Sequence, residues 1–90
     1  MPVISMFFGI IIQMYSYDNK KHHTPHIHVA YQDYTAVFSI SDCSIIEGQL
    51  PSKQRRLVEA WMELHIDELL ADWQFATTGQ EIYKIDPLRI

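Results

Sequence analysis

One cysteine, three glycines and only seven Lys and Arg against eleven Asp and Glu set the first limits on this 90-residue chain. A lone Cys43 cannot form an intramolecular disulfide, so the fold does not rely on an oxidising compartment. No histidine is spaced to activate that thiol, and Cys43 reads as a small core or turn residue. A net charge of -4 with neutral His weighs against a broad electrostatic grip on nucleic acid, which needs clustered Lys and Arg, and leaves room only for a local basic patch such as Lys20, Lys21, His22 and His23. The apolar stretch before Gln13 lacks a basic leading segment and is too short to cross a bilayer. It reads as buried β-structure, with no membrane partner, and the cytoplasm is the default location. There is no repeat, linker or low-complexity segment. The length allows one domain, residues 1–90, with a thin core.

What is present is apolar surface. Hydrophobic residues make up 48% of the chain, including two Trp, five Tyr and four Phe, and this argues for a folded domain. A chain this small with that much apolar surface often hides part of it against another chain.

Ile4, Met6, Phe8, Ile10, Ile12 and Met14 occupy alternate positions, the period of a strand with one face in the core. Gly9 in the middle predicts a bulge or a split into two strands. Residues 18–25 are polar and end in Pro25, which marks a loop. A strand from His26 to Tyr31 follows, with Ile27, Val29 and Tyr31 on one face and His26, His28 and Ala30 on the other. Gln32-Asp33 predicts a hairpin turn. Further strands are expected over Tyr34 to Ile40 and Ser44 to Leu50, the last broken by Gly48. Short turns between successive strands favour an antiparallel meander.

Ser52 offers a hydroxyl N-cap to a long helix from about Lys53 to Ala76, and Gly79 suits its left-handed C-terminal position. At 100° per residue, Leu57, Ala60, Trp61, Leu64, Ala71 and Phe75 form one stripe, the expected core face. Ile66, Leu70 and Trp73 lie on nearly the opposite side. One sheet face cannot cover both. Either the tail from Glu81 folds back over the second stripe, or a partner covers it, which makes Ile66, Leu70 and Trp73 the candidate partner interface. The expected fold is α+β: a small, mostly antiparallel sheet of about four strands packed against one long C-terminal helix.

Three groups of residues could carry chemistry. His26 and His28, at i and i+2 on a strand, project from one face and can converge on an anion or a metal, with Zn²⁺ the candidate ion. A half-exposed polar sheet face explains them equally well. His65 and Glu68 stand at i, i+3, the spacing of a His–carboxylate ligand pair, on an arc shared with Trp61. A solvated stripe edge explains them as well, and it is the expectation for Asp72. Were His65 to meet His26 and His28, three imidazoles and a carboxylate would suit a divalent metal or acid–base catalysis on a phosphodiester. The helix should cover the Ile27 face, so that meeting needs a twist, a bulge or a second subunit. The third group, Lys20, Lys21, His22, His23 and Tyr31 with Tyr15 and Tyr17, interleaves cations and aromatics as RNA-binding surfaces do. A solvated loop beside strand tyrosines is its plainer explanation.

Several segments together resemble a known family. Met1-Pro2-x-Ile4-Ser5, Phe8-Gly9-Ile10, Pro25-His26-Ile27-His28-Val29, Gly48-x-Leu50-Pro51, Trp61-x-x-x-His65-x-x-Glu68-Leu69, Trp73 and Pro87-Leu88 are similar to the small bacterial proteins of domain-of-unknown-function family 4160. The resemblance implies one half of a two-gene module, on the toxin side of toxin–antitoxin pairs, with a small cognate antitoxin-like protein as partner. It brings positions but no established reaction. The expectation is therefore a toxin-like component acting as a ribonuclease, with His26, His28, His65 and Glu68 as its candidate catalytic residues. RNA and a second copy of the chain are further candidate partners. The alternatives are a non-catalytic protein-binding or regulatory module and a zinc-binding protein.

Overall fold

The computed structural model describes residues 3–16 and 24–89. Five strands run in chain order across one antiparallel sheet: β1 (Val3–Phe7), β2 (Ile10–Gln13), β3 (His26–Tyr31), β4 (Tyr34–Ser39) and β5 (Ile45–Gly48). Two helices follow, α1 (Ser52–Leu64) and α2 (Ile66–Thr77). The expected α+β meander is present, with five strands instead of about four and two helices instead of one.

The extra strand comes from Gly9. Phe8 and Gly9 both take positive φ, 51° and 78°, as a two-residue hairpin requires, and the apolar run folds into β1 and β2. A bulge in β1 then changes which residues face inward. Val3 pairs with Gln13, but Ser5 pairs with Ile12, so Ile4 is the extra residue. Ile4, Ser5 and Phe7 are buried, while Met6 and Phe8 are exposed, which corrects the strict even-numbered alternation.

The core lies between the sheet and the helices. Ile10, Ile12, Ile27, Val29, Ala36 and Phe38 from the sheet meet Val58, Trp61, Met62, Leu69, Trp73 and Ala76 from the helices. On a helical projection these helix residues fall within an arc of about 120°. Trp61 comes from the edge of one expected stripe and Trp73 from the edge of the other. The buried face lies between them, because its centre also holds His65 and Asp72, polar residues that a search for apolar periodicity passes over. Leu64, Ala60 and Ala71 are consequently exposed.

Ser52 is the first helical residue, and Pro51 takes the N-cap position with no side-chain cap bond. Arg55 N–H donates to the Pro51 carbonyl instead. The helix breaks at His65, whose backbone (φ -126°, ψ 25°) closes a tighter turn from its N–H to the Met62 carbonyl. Asp67 and Glu68 then occupy the first turn of α2, where the helix dipole favours negative charge. At the far end Gly79 (φ 74°) donates to Ala76 and Gln80 to Phe75, a Schellman closure.

The tail does fold back, but against the side of the helices that carries Trp61, Asp72 and Phe75 and not over the second stripe, whose Leu70 stays exposed. Ile85 is buried and its N–H donates to the Ile4 carbonyl on the β1 edge. Trp61 Nε1–H donates to the Asp86 carbonyl at 2.8 Å. Asp72 is also part of this clasp and not a solvated edge: it is buried, and its Oδ1 accepts the Tyr83 N–H at 3.0 Å.

Candidate functional site

The helices cover one face of the sheet, and the site lies on the other. A two-residue turn sets the β3–β4 register there. Tyr31 faces Tyr34 across the Gln32-Asp33 hairpin, which places His28 opposite Val37. Gln13 stands opposite His28 on the other side, and Val37 stands opposite Glu47. Gln13, His28, Val37 and Glu47 therefore form one row across four strands, with side chains on the outer face.

A cleft of about 190 Å³ opens over this row, lined by Gln13, Tyr15, His28, Thr35, Val37, Glu47 and Gly48 among others. Tyr15 meets His28 edge to face, with ring centroids 4.7 Å apart, and its hydroxyl donates to Gln13 Oε1 at 3.1 Å. Gly48 closes one side with φ 78°. A Cβ there would fall 2.2 Å from the Thr35 carbonyl oxygen, so only glycine lets β5 approach β4 this closely.

His26 and His28 are brought together as the i, i+2 spacing predicts, with rings 5.4 Å apart at 67°. Their surroundings differ. His28 is half-buried at the cleft, whereas His26 is 1% exposed and lies against Trp73 at 4.9 Å. His26 Nδ1 is 2.8 Å from the Thr24 carbonyl, which can only accept, so Nδ1 carries the hydrogen and the ring orientation is fixed. Pro25 anchors the start of β3 through its own carbonyl, which accepts the Ile40 N–H. An aromatic series, Trp73, His26, His28 and Tyr15, thus runs from the helix layer to the outer cleft.

His65 and Glu68 pair with each other at 2.6 Å, and the His65 ring lies 5.5 Å from Trp61. They are not gathered with His26 and His28 into one cluster. Among the described residues no group of three or more His, Cys, Asp and Glu could hold a metal ion. Two imidazoles fall short of the three or four protein ligands that zinc sites use. Lys20, Lys21, His22 and His23 lie outside the described residues. Tyr31 is partly buried against the core and does not line the cleft. Of the candidate partner interface, Trp73 is buried against His26 and Ile66 packs partly on the core, so Leu70 is the one that is exposed.

Glu47 and Gln13 were not singled out from the sequence. The Gln32-Asp33 turn puts Val37 opposite His28, but Gln13 and Glu47 are placed by the β2–β3 and β4–β5 pairings, which no two-residue turn fixes and the second of which carries an irregularity. Charge near the cleft is otherwise modest. Asp42, in the β4–β5 turn, is held below the usual carboxylate range by the Ser44 hydroxyl, which donates to Oδ1 at 2.8 Å. Burial, with Glu63 and Asp42 nearby, pushes the Cys43 thiol up, which makes it a poor nucleophile.

No helix among the described residues is long and apolar enough to cross a membrane. No curated protein and no solved structure matches this chain. The family model described as "Domain of unknown function (DUF4160)" matches residues 9–74, a span that runs from the β1–β2 turn through the His26–His28 strand to one residue past Trp73. The chain belongs to that family of unknown function, DUF4160.

Proposed function

We propose that this protein is the toxin-like member of a bacterial two-protein module, and that it acts on RNA as a ribonuclease through the outer face of its sheet. The observation that carries the reading is the placement of His28. It stands half-buried at the cleft, braced by Tyr15 on one side and by the buried, hydrogen-bonded His26 on the other. An imidazole held this way can move protons to or from a substrate that docks on the outer face. The small cognate protein would neutralise it by direct binding.

The test uses purified protein and total bacterial RNA. Wild type is expected to cleave, and His28→Gln, which keeps the volume and polarity of the site, is expected to lose about 10²–10⁴ in rate. Absence of any cleavage by folded wild type overturns the ribonuclease reading.

A second reading, a binding module without catalysis, is favoured by one observation. Leu64 is 70% exposed, and Leu70, Met6 and Phe8 are also exposed, which is apolar surface that a partner could cover. It predicts a stable hetero-complex and little effect of His28→Gln on that complex.

A further inference from the structure

We propose that Glu47 is the second proton-transferring group of this site, working opposite His28 in a transphosphorylation that leaves a 2′,3′-cyclic phosphate on RNA. The inference rests on the ribonuclease reading and adds to it a residue and a product.

The geometry comes from the sheet register. His28 and Glu47 face the same way from β3 and β5, with Val37 of β4 between them. Two strand spacings of about 4.8 Å put their backbones roughly 10 Å apart. Both line the same cleft of about 190 Å³, over the buried Val37 floor. A phosphodiester lying across Val37 would have an imidazole on one side and a carboxylate on the other. His28 stands within a regular strand pairing, and Glu47 stands beside the irregularity that leaves Ile46 of β5 without a partner residue on β4. Beside Glu47 the backbone is clamped: Gln49 N–H donates to the Thr35 carbonyl at 3.0 Å, and the Gly48 approach leaves no room for a side chain. A site built on such strands holds its groups more tightly than one built on loops.

The chemistry assigns itself by what each group can do. A carboxylate accepts a proton, and a protonated imidazole donates one. Glu47 takes the proton of the 2′-hydroxyl as that oxygen attacks the adjacent phosphorus. The bond from phosphorus to the 5′ oxygen breaks, and His28 gives its proton to the leaving oxygen. The products are a 2′,3′-cyclic phosphate and a 5′-hydroxyl. One proton enters Glu47 and one leaves His28, so exchange with solvent resets the pair, and no oxidant, reductant or other co-reactant is consumed.

The experiment uses the full chain, total bacterial RNA and analysis of the cut ends by mass spectrometry. The variants are Glu47→Gln, Glu47→Asp and His28→Gln, each checked for an unchanged unfolding midpoint. The proposal expects cyclic-phosphate and 5′-hydroxyl ends from wild type. Glu47→Gln should lose about 10²–10⁴ in kcat with KM within a few-fold, and Glu47→Asp should recover part of it. Wild-type rates in folded Glu47→Gln, or ends bearing a 5′-phosphate, overturn this proposal while the ribonuclease reading stands. No cleavage by wild type removes both.

Discussion

At the scale of single residues, Asp72 shows how a polar group can belong to the core. Its Oδ1 accepts the Tyr83 N–H, while its buried Oδ2 has no hydrogen-bond partner. Burial is the largest cause pushing its carboxyl above the usual range; the Tyr83 bond opposes this and the neighbouring Glu68 adds to it. A carboxyl whose folded value is raised binds more protons folded than unfolded. Its contribution to stability is therefore full below the unfolded value and is lost as pH rises through the folded value. Asp72→Asn removes that titration. Urea midpoints measured from pH 3.5 to 8 should show the variant gaining on wild type as pH rises. A difference independent of pH would mean that Asp72 does not titrate between the two states.

At the scale of elements, the position of α2 is set by Trp73. The indole fills the space between the helix layer and the His26 end of β3, so it joins core to site. Trp73→Ala should cost about 3–5 kcal/mol, a large part of the about 5–15 kcal/mol that a domain usually has. Trp73→Phe should cost clearly less, because a ring still packs against His26. Denaturant titration of both variants checks this, and equal losses would show that the ring contact is unimportant. Most strands were legible in the sequence through turn residues and period-2 alternation, except in β1, where the bulge at Ile4 shifts which residues are buried, and Gly79 marked the helix end. The helix break was not legible. His65 makes both a C-cap and an N-cap through backbone geometry, and its side-chain bond to Glu68 resembles an ordinary i, i+3 helix pair. The buried helix face was missed because His65 and Asp72 sit at its centre.

At the scale of the whole molecule, the division of labour is between two faces of one sheet. The inner face, the two helices and the tail clasp bury Ile4, Trp61, Leu69 and Ile85 in one cluster. Among the described residues the helices lie on the inner face, and the outer face carries the row from Gln13 to Glu47. The pairing of His26 with His28 was legible from spacing alone. Their different burial was not, since it depends on Trp73 reaching His26 from 47 residues further along the chain. Glu47 needed the register of three strands before it could be seen beside His28.

The most direct test of this account is growth of a bacterial host on inducing the protein, beside His28→Gln at equal soluble expression. His28 is the residue to change, because replacing the buried His26 would disturb folding as well as chemistry. The account predicts that wild type arrests growth with loss of intact RNA, and that His28→Gln does neither. Equal arrest by both proteins, or by neither, would contradict it.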